Sequence, residues 1–444
     1  MTAETATTSL SLQNTLPSNG RPTVAIIGAG PAGLMVAEYL KNFAVNIHVY
    51  EQKPSPARKL LMAGKSGLNI SHAEPLADFV TRYQPDDWLT PHIEAFNSDD
   101  IRDFMQRLGI ESFVGSTGRI FPTMMKASPL LRAWLQDLQQ HEVQFFYRHT
   151  CTDITGNQAT FQKELRERQV GAQDTRDNPD TPETFSQSFD AIVLATGGLS
   201  WSRLGSDGKW QQWLNPDEMT PFYPSNVGII REWSAHLSSY FGQALKRVKA
   251  AVHYPNQQGK EQIEQGFGDI IISHYGMESG LIYRLNHAMR RQLQTNGHIE
   301  LILDLLPDTN TDKLLKTLQG GKKQSLNNVW RKAGLDPVKI ALLREIAPKT
   351  DWHDTTKMVG YIKHLTIIFT DFRPIDEAIS CGGGIKRSAL TEDFQLKSNP
   401  SVFCCGEMLD WDAPTGGYLL TACFATGRAV GAGIVKQLGL ARDD

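Results

Sequence analysis

The residues best suited to chemistry form a glycine series near the start of the chain. Gly28, Gly30 and Gly33 are spaced GxGxxG in the hexapeptide GAGPAG, with Pro31 and Ala32 inside it. They follow a β-branched apolar run at 23–27 and precede an apolar stretch, 34–40, that suits a helix. In a strand–turn–helix each glycine has its own role, Gly28 permitting the tight turn, Gly30 letting backbone approach a pyrophosphate, and Gly33 letting helix pack on strand. The helix N-terminus then offers free N–H groups and the positive end of its dipole to the anion. A second apolar run, 45–50, ends at Glu51, close to the spacing at which an acid accepts ribose hydroxyls. The competing reading is an ordinary βαβ turn with Glu51 as a solvated strand end; the context favours a dinucleotide.

Three further segments carry chemistry of the same kind. Residues 58–70, with Lys59, Gly64 and Asn69, form a basic glycine-containing loop suited to wrapping a long cofactor, or a solvated surface loop. The apolar run 189–194 ends in Ala195, Thr196, Gly197 and Gly198, as expected where a sheet edge meets a ligand. Towards the C-terminus stand Gly383 and Gly384, then Gly406, Glu407 and Asp410, then Gly416, Gly417 and Tyr418 ahead of a helix-like stretch, 419–438. Backbone groups in such turns can hold the ribityl chain and ring of a cofactor. A separate glycine-containing turn brings together His274, Tyr275 and Glu278, candidate proton donors, although a His–Tyr pair in a turn is often structural. No metal site is expected: the five cysteines form no CxxC pair, and adjacent Cys404 and Cys405 in an apolar strand read as packing residues.

These groups need elements to position them. Strand-like runs at 142–148 and 151–154 continue the βα rhythm, and the polar stretch 163–187 reads as a solvated hairpin extension. From 201 to 354 the rhythm stops and short strands at 226–230, 268–273 and 298–304 suggest a β-rich insert, inside which 312–349 has helical spacing. The apolar run 365–370 reads as the return to the first domain. The domains expected are therefore a disordered tail at 1–21, a nucleotide domain at 22–200 and 355–444, and an insert at 201–354. At 444 residues the chain favours more than one domain. Its net charge of -3 gives no global reason to expect a nucleic-acid or membrane partner. Residues 24–40 are too short and glycine-broken to span a bilayer comfortably, and the cysteine usage fits a reducing cytoplasm.

Together the segments GAGPAG, RKLLMAGKSGLNIS at 58–71, GRIFPTMMKAS at 118–128, ATGGLSWSRLGSDG at 195–208, HYGMESG at 274–280, RPIDEAISCGGGI at 373–385 and CGEMLDWDAPTGGYLL at 405–420 resemble the HI0933-like (YhiN/BaiN-type) FAD-binding flavoproteins. The resemblance implies an α/β fold: a discontinuous Rossmann-type FAD-binding domain with an inserted β-barrel-like domain containing a small helical subdomain. Many relatives carry Arg-Cys before the loop asparagine. Here Gly67-Leu68 precedes Asn69, so no cysteine role transfers.

The expected activity is reduction of an activated or conjugated double bond in a small molecule, with NAD(P)H or another donor reloading FAD. No second GxGxxG supplies a separate nicotinamide domain. The rivals are a flavin monooxygenase, a non-catalytic flavin sensor, and an RNA-modifying reductase. The last rests on residues 312–349, where nine Lys/Arg (Lys313, Lys316, Lys322, Lys323, Arg331, Lys332, Lys339, Arg344, Lys349) face three acids (Asp312, Asp336, Glu345), a local excess of +6.

Overall fold

The computed structural model describes residues 20–443 except 65–66, 86, 165–182, 257 and 321–323. Residues 1–19 of the tail assigned to 1–21, most of the hairpin extension, and the cations Lys322 and Lys323 thus lie outside the described residues, whereas Arg21 of that tail is held by Asp443 at 2.8 Å. The chain divides into two compact units, one running to Phe222 and resuming at Gly382, the other Tyr223–Cys381.

The first unit is built on a five-stranded parallel sheet ordered Val402–Cys404, Ala191–Leu194, Thr23–Ile27, Asn46–Glu51 and Gln144–Tyr147. The central strands are buried almost throughout, which is why their sequences are continuous apolar runs rather than alternations. The helix Pro31–Leu40 starts with proline at a position that needs no N–H donor. It packs against the terminal helix Tyr418–Leu438 through two close approaches. A Cβ on Gly427 would stand 2.5 Å from the carbonyl oxygen of Ala32, and one on Gly431 would stand 2.8 Å from Tyr39. The terminal helix is long and apolar enough to cross a membrane by length and composition, yet most of it is buried within this unit. The strands His149–Thr155, Gln158–Lys163 and Glu183–Ser188 form a small antiparallel sheet, from which Phe161 stacks on Tyr50 at 3.9 Å between ring centroids.

The second unit has its own core around a seven-stranded sheet that includes a long hairpin, Ala244–Pro255 with Glu261–Ser273. Its two edge strands, Leu365–Phe369 and Asp371–Phe372, are separated in sequence by Thr370 alone. Seven flat strands spaced ~4.8 Å apart would hold these edges roughly 29 Å from each other. One residue cannot bridge that, so the sheet curls on itself. Three helices, Thr311–Gln319, Leu326–Lys332 and Pro337–Ile346, occupy the stretch with helical spacing.

Two boundaries differ from the sequence expectation. Residues 201–222 belong to the first unit, because Trp210 is buried in its core. The run 365–369 does not rejoin the parallel sheet; it alternates buried and exposed and pairs antiparallel with Ile299–Asp304. An alternating strand with one solvated face suits an antiparallel sheet.

The glycine contacts set an expected contrast in stability. Gly427→Val should lower the thermal midpoint by several degrees, overpacking costing about 1–3 kcal/mol. Gly360, inside the helix Thr355–Lys363, faces nothing within 4 Å, so Gly360→Ala should add about 0.5–1 kcal/mol of stability and raise the midpoint. Shifts of the same sign in calorimetry would overturn this account of the packing.

Candidate functional site

Strand register places the site. Ile27 pairs with both Leu194 and Tyr50, and Leu194 pairs with Cys404, so four parallel strands end level with one another. The residues that follow them, Gly28 and Gly30, Glu51 and Gln52, Ala195 to Gly197, and Cys405 to Glu407, line one cleft of about 1020 Å³ that opens to solvent. Ligands bind at this carboxyl edge in open α/β sheets.

The three glycines of the first turn divide into two kinds. A Cβ on Gly28 would stand 2.4 Å from the Ala195 carbonyl oxygen, and one on Gly33 would stand 2.1 Å from that of Gly28. Both are glycine so that backbone can pack on backbone. Gly30 has no protein atom within 4 Å of a built Cβ, and it lines the cleft as N-cap of Pro31–Leu40 with no side-chain cap. Its missing side chain leaves room for a ligand against uncapped N–H groups, the arrangement a pyrophosphate fits. Glu51 accepts hydrogen bonds from the amides of Ala29 (3.1 Å) and Lys53 (2.8 Å). Burial raises its carboxyl pKa above the ordinary value, and those two amides oppose the rise. The amides fix the carboxylate beside the glycine turn, where ribose hydroxyls would be bound.

Further along the cleft the Lys59 ammonium donates to Ser200 Oγ and to the Glu407 carboxylate, each at 2.6 Å. Residues 58–63 of the expected loop form a short helix, Arg58–Ala63, and Lys59 ties it to the turns after Leu194 and Cys404. Asn69 Oδ1 is buried without a protein partner, an acceptor awaiting a donor. The glycine cradle open at Gly30 and the carboxylate of Glu51 beside it fit the pyrophosphate and a ribose of FAD. Cys405 and Cys423 also line the cleft, but burial pushes both thiols up, Cys423 to about 12, so they act as apolar lining.

Of the residues singled out from sequence, Gly28, Gly30, Pro31, Ala32, Glu51, Lys59, Ala195, Thr196, Gly197, Gly406 and Glu407 line the cleft. Gly33, Gly64, Asn69, Gly198, Gly383, Gly384, Asp410, Gly416, Gly417 and Tyr418 do not. Several of these are glycine for close packing: a Cβ on Gly64 would meet Ala127, on Gly383 the Pro221 carbonyl, on Gly384 that of Met408, and on Gly417 the backbone of Ser71. Asp410 accepts from Thr220 at 2.6 Å, and the Tyr418 hydroxyl donates to Glu74 at 2.6 Å. Lining residues that no motif signalled include His149, Thr150, Trp210 and Trp213.

The second unit holds His274, Tyr275 and Glu278. Tyr275 donates to the Glu278 carboxylate at 2.5 Å and lies under the Arg373 guanidinium at 4.5 Å, and the His274 ring packs edge-on to it. Burial, then the adjacent carboxylate, holds the Tyr275 hydroxyl above the usual tyrosine range. In the basic stretch, Lys339 is buried with its ammonium on the Leu305 carbonyl (2.8 Å), and Arg344 lies against the rings of Trp330 and Trp352. Among the described residues no group of three or more His, Cys, Asp or Glu could hold a metal ion.

The chain is 20% identical over 428 residues to a 3-dehydro-bile acid delta(4,6)-reductase of Clostridium scindens, covering 92% of this chain and 98% of that one. Among solved structures it is similar to a 3-ketosteroid-delta4-(5alpha)-dehydrogenase of Rhodococcus jostii RHA1, at 12% identity and TM-score 0.45 over 95% of this chain and 98% of that one. It is also similar to a 3-ketosteroid delta1-dehydrogenase of Sterolibacterium denitrificans, at 10% identity and TM-score 0.46 over 94% of this chain and 100% of that one. The HI0933-like protein Rossmann domain matches residues 22–433, and the chain belongs to the HI0933-like family of FAD-binding flavoproteins.

Proposed function

We propose that this FAD-dependent oxidoreductase reduces a carbon–carbon double bond conjugated to an electron-withdrawing group in a small molecule, and that NAD(P)H or a comparable donor reloads the flavin. The observation that carries the cofactor half is the cleft at four level strand ends with Gly30 open at the helix N-terminus. The substrate half draws support from the relative named as a delta(4,6)-reductase. Bound FAD supplies hydride transfer. The protein residues must then orient the alkene and supply a proton to the carbon left electron-rich. Tyr275 suits the second of these roles, because its hydroxyl keeps its proton at neutral pH and Glu278, bonded to it, positions the group. We read the curled seven-stranded sheet that holds this pair as the barrel-like insert. A small molecule is favoured over RNA because Lys339, one cation of the 312–349 stretch, is buried with its ammonium on a backbone carbonyl.

Denaturing the purified protein should release FAD rather than FMN. Gly30→Val should abolish cofactor binding, because the new branch fills the space facing the helix N-terminus, while Glu51→Ala should weaken binding less; normal FAD occupancy in Gly30→Val protein would refute the placement. Mixed anaerobically with an α,β-unsaturated ketone, the reduced protein should reoxidise. Tyr275→Phe should slow that step by about 10²-fold with flavin content unchanged. Since the donor must be protonated and its pKa lies above the ordinary value, the rate should stay level through neutral pH and fall only above about pH 10. A ketone that leaves the flavin reduced while oxygen-coupled hydroxylation proceeds would transfer the protein to the monooxygenases.

A further inference from the structure

Away from the cofactor cleft, the second unit contains a small pocket open to solvent where the turn Ala235–Tyr240 meets the helices Leu326–Lys332 and Pro337–Ile346. Its polar lining consists of His236, Tyr240, Asn327, Arg331 and Arg344, and no carboxylate lines it. Two of these residues present buried atoms without a protein partner: Asn327 Oδ1, an acceptor, and Arg344 Nε, a donor.

Arg344 is held for this position. Its guanidinium lies 5.5 Å from the Trp330 ring centroid and 5.1 Å from that of Trp352, contacts that fix the group without neutralising it. The adjacent acid, Glu345, is committed elsewhere, accepting from the amide and the hydroxyl of Ser234 at 2.9 and 2.6 Å. Arg331, at the exposed rim, adds a second cation. A half-buried guanidinium, fixed by two rings with its Nε buried and lying beside a second cation, favours an oxyanion, and arginine matches the tetrahedral and planar oxyanions geometrically. Asn327 narrows the choice. Its oxygen needs a donor, so a fitting anion must itself carry a proton or a hydroxyl.

We propose that this pocket binds hydrogen phosphate or a hydroxyl-bearing phosphate monoester, with Arg344 and Arg331 holding the anionic oxygens and Asn327 accepting a hydrogen bond from the P–OH or alcohol hydroxyl of the ligand. The site is independent of the flavin chemistry and gives a phosphorylated small molecule a place to bind the second unit.

Calorimetric titration of the full-length flavin-loaded protein with inorganic phosphate at pH 7 should show one saturable site in about the micromolar to millimolar range. Sulfate has the same shape but no proton for Asn327, so it should bind about tenfold more weakly. Asn327→Leu should remove that preference. Arg344→Met, which keeps the apolar contact with both tryptophans, should weaken phosphate by at least about tenfold. FAD content and the unfolding midpoint without phosphate report that both variants fold. Glycerol 3-phosphate should compete with phosphate, whereas an RNA oligonucleotide lacking terminal phosphates should not. Failure of phosphate to bind, unchanged phosphate-over-sulfate preference in Asn327→Leu, or competition by the RNA but not by the monoester would each overturn the assignment.

Discussion

The level register of the parallel strands is the constraint on which the cofactor site depends. The last sheet-like hydrogen bonds run from Gly28 N to Tyr50 O, Ala195 N to Ile27 O and Cys405 N to Leu194 O. Beyond them the strands part. Each chain leaves the sheet with backbone groups unpaired by neighbouring strands, and the cleft is the space those departing chains enclose. Had one strand slipped by a residue, its glycine turn or acidic side chain would leave the common edge and its side chains would change face.

Holding that edge rigid is the work of close backbone packing. Gly28 against Ala195, Gly33 against Gly28 and Gly427 against Ala32 bring strand, turn and two helices nearer than any side chain would permit. Such contacts leave the N-terminus of Pro31–Leu40 with little freedom, which an anion site requires, since donors fixed in advance cost nothing to orient when the ligand arrives. The ion pair between Lys59 and Glu407, with Ser200, adds a polar tie among three segments of the same cleft.

The second unit solves a different problem with different means. Its sheet is antiparallel and curled, with a core of aliphatic residues, and its polar groups work in small clusters rather than along one edge. Tyr275 with Glu278 and Arg373 is one such cluster; Arg344 between two tryptophans is another. In each, an aromatic surface fixes a charged or titratable side chain, so that its chemistry depends on neighbours distant in sequence.

The nucleotide turn, the acid after the second strand, the buried strand ending in ATGG and the terminal strand with its Gly-Glu turn are all legible in the order of residues. Each depends on local constraints: a position that admits no Cβ, a strand buried on both faces, a helix start without a donor. Other features emerge only when distant segments meet. The run 365–369 is apolar enough for either sheet, and only its antiparallel pairing with Ile299–Asp304 assigns it. Residues 244–255 mix Lys, Arg and His among small apolar residues, so the long hairpin shows no signal until its partner strand covers one face. The cleft residues His149 and Trp213 belong to no motif, and Gly64, Gly383 and Gly417, which resemble cofactor glycines, admit neighbouring protein instead. Nine cations between 312 and 349 look alike as letters, whereas the fold buries Lys339 on a carbonyl and sets Arg344 between tryptophans. Turn geometry and strand periodicity are set by covalent neighbours and are written in spacing. Which surfaces meet is set by packing between segments far apart in the chain, and that packing has no local signature.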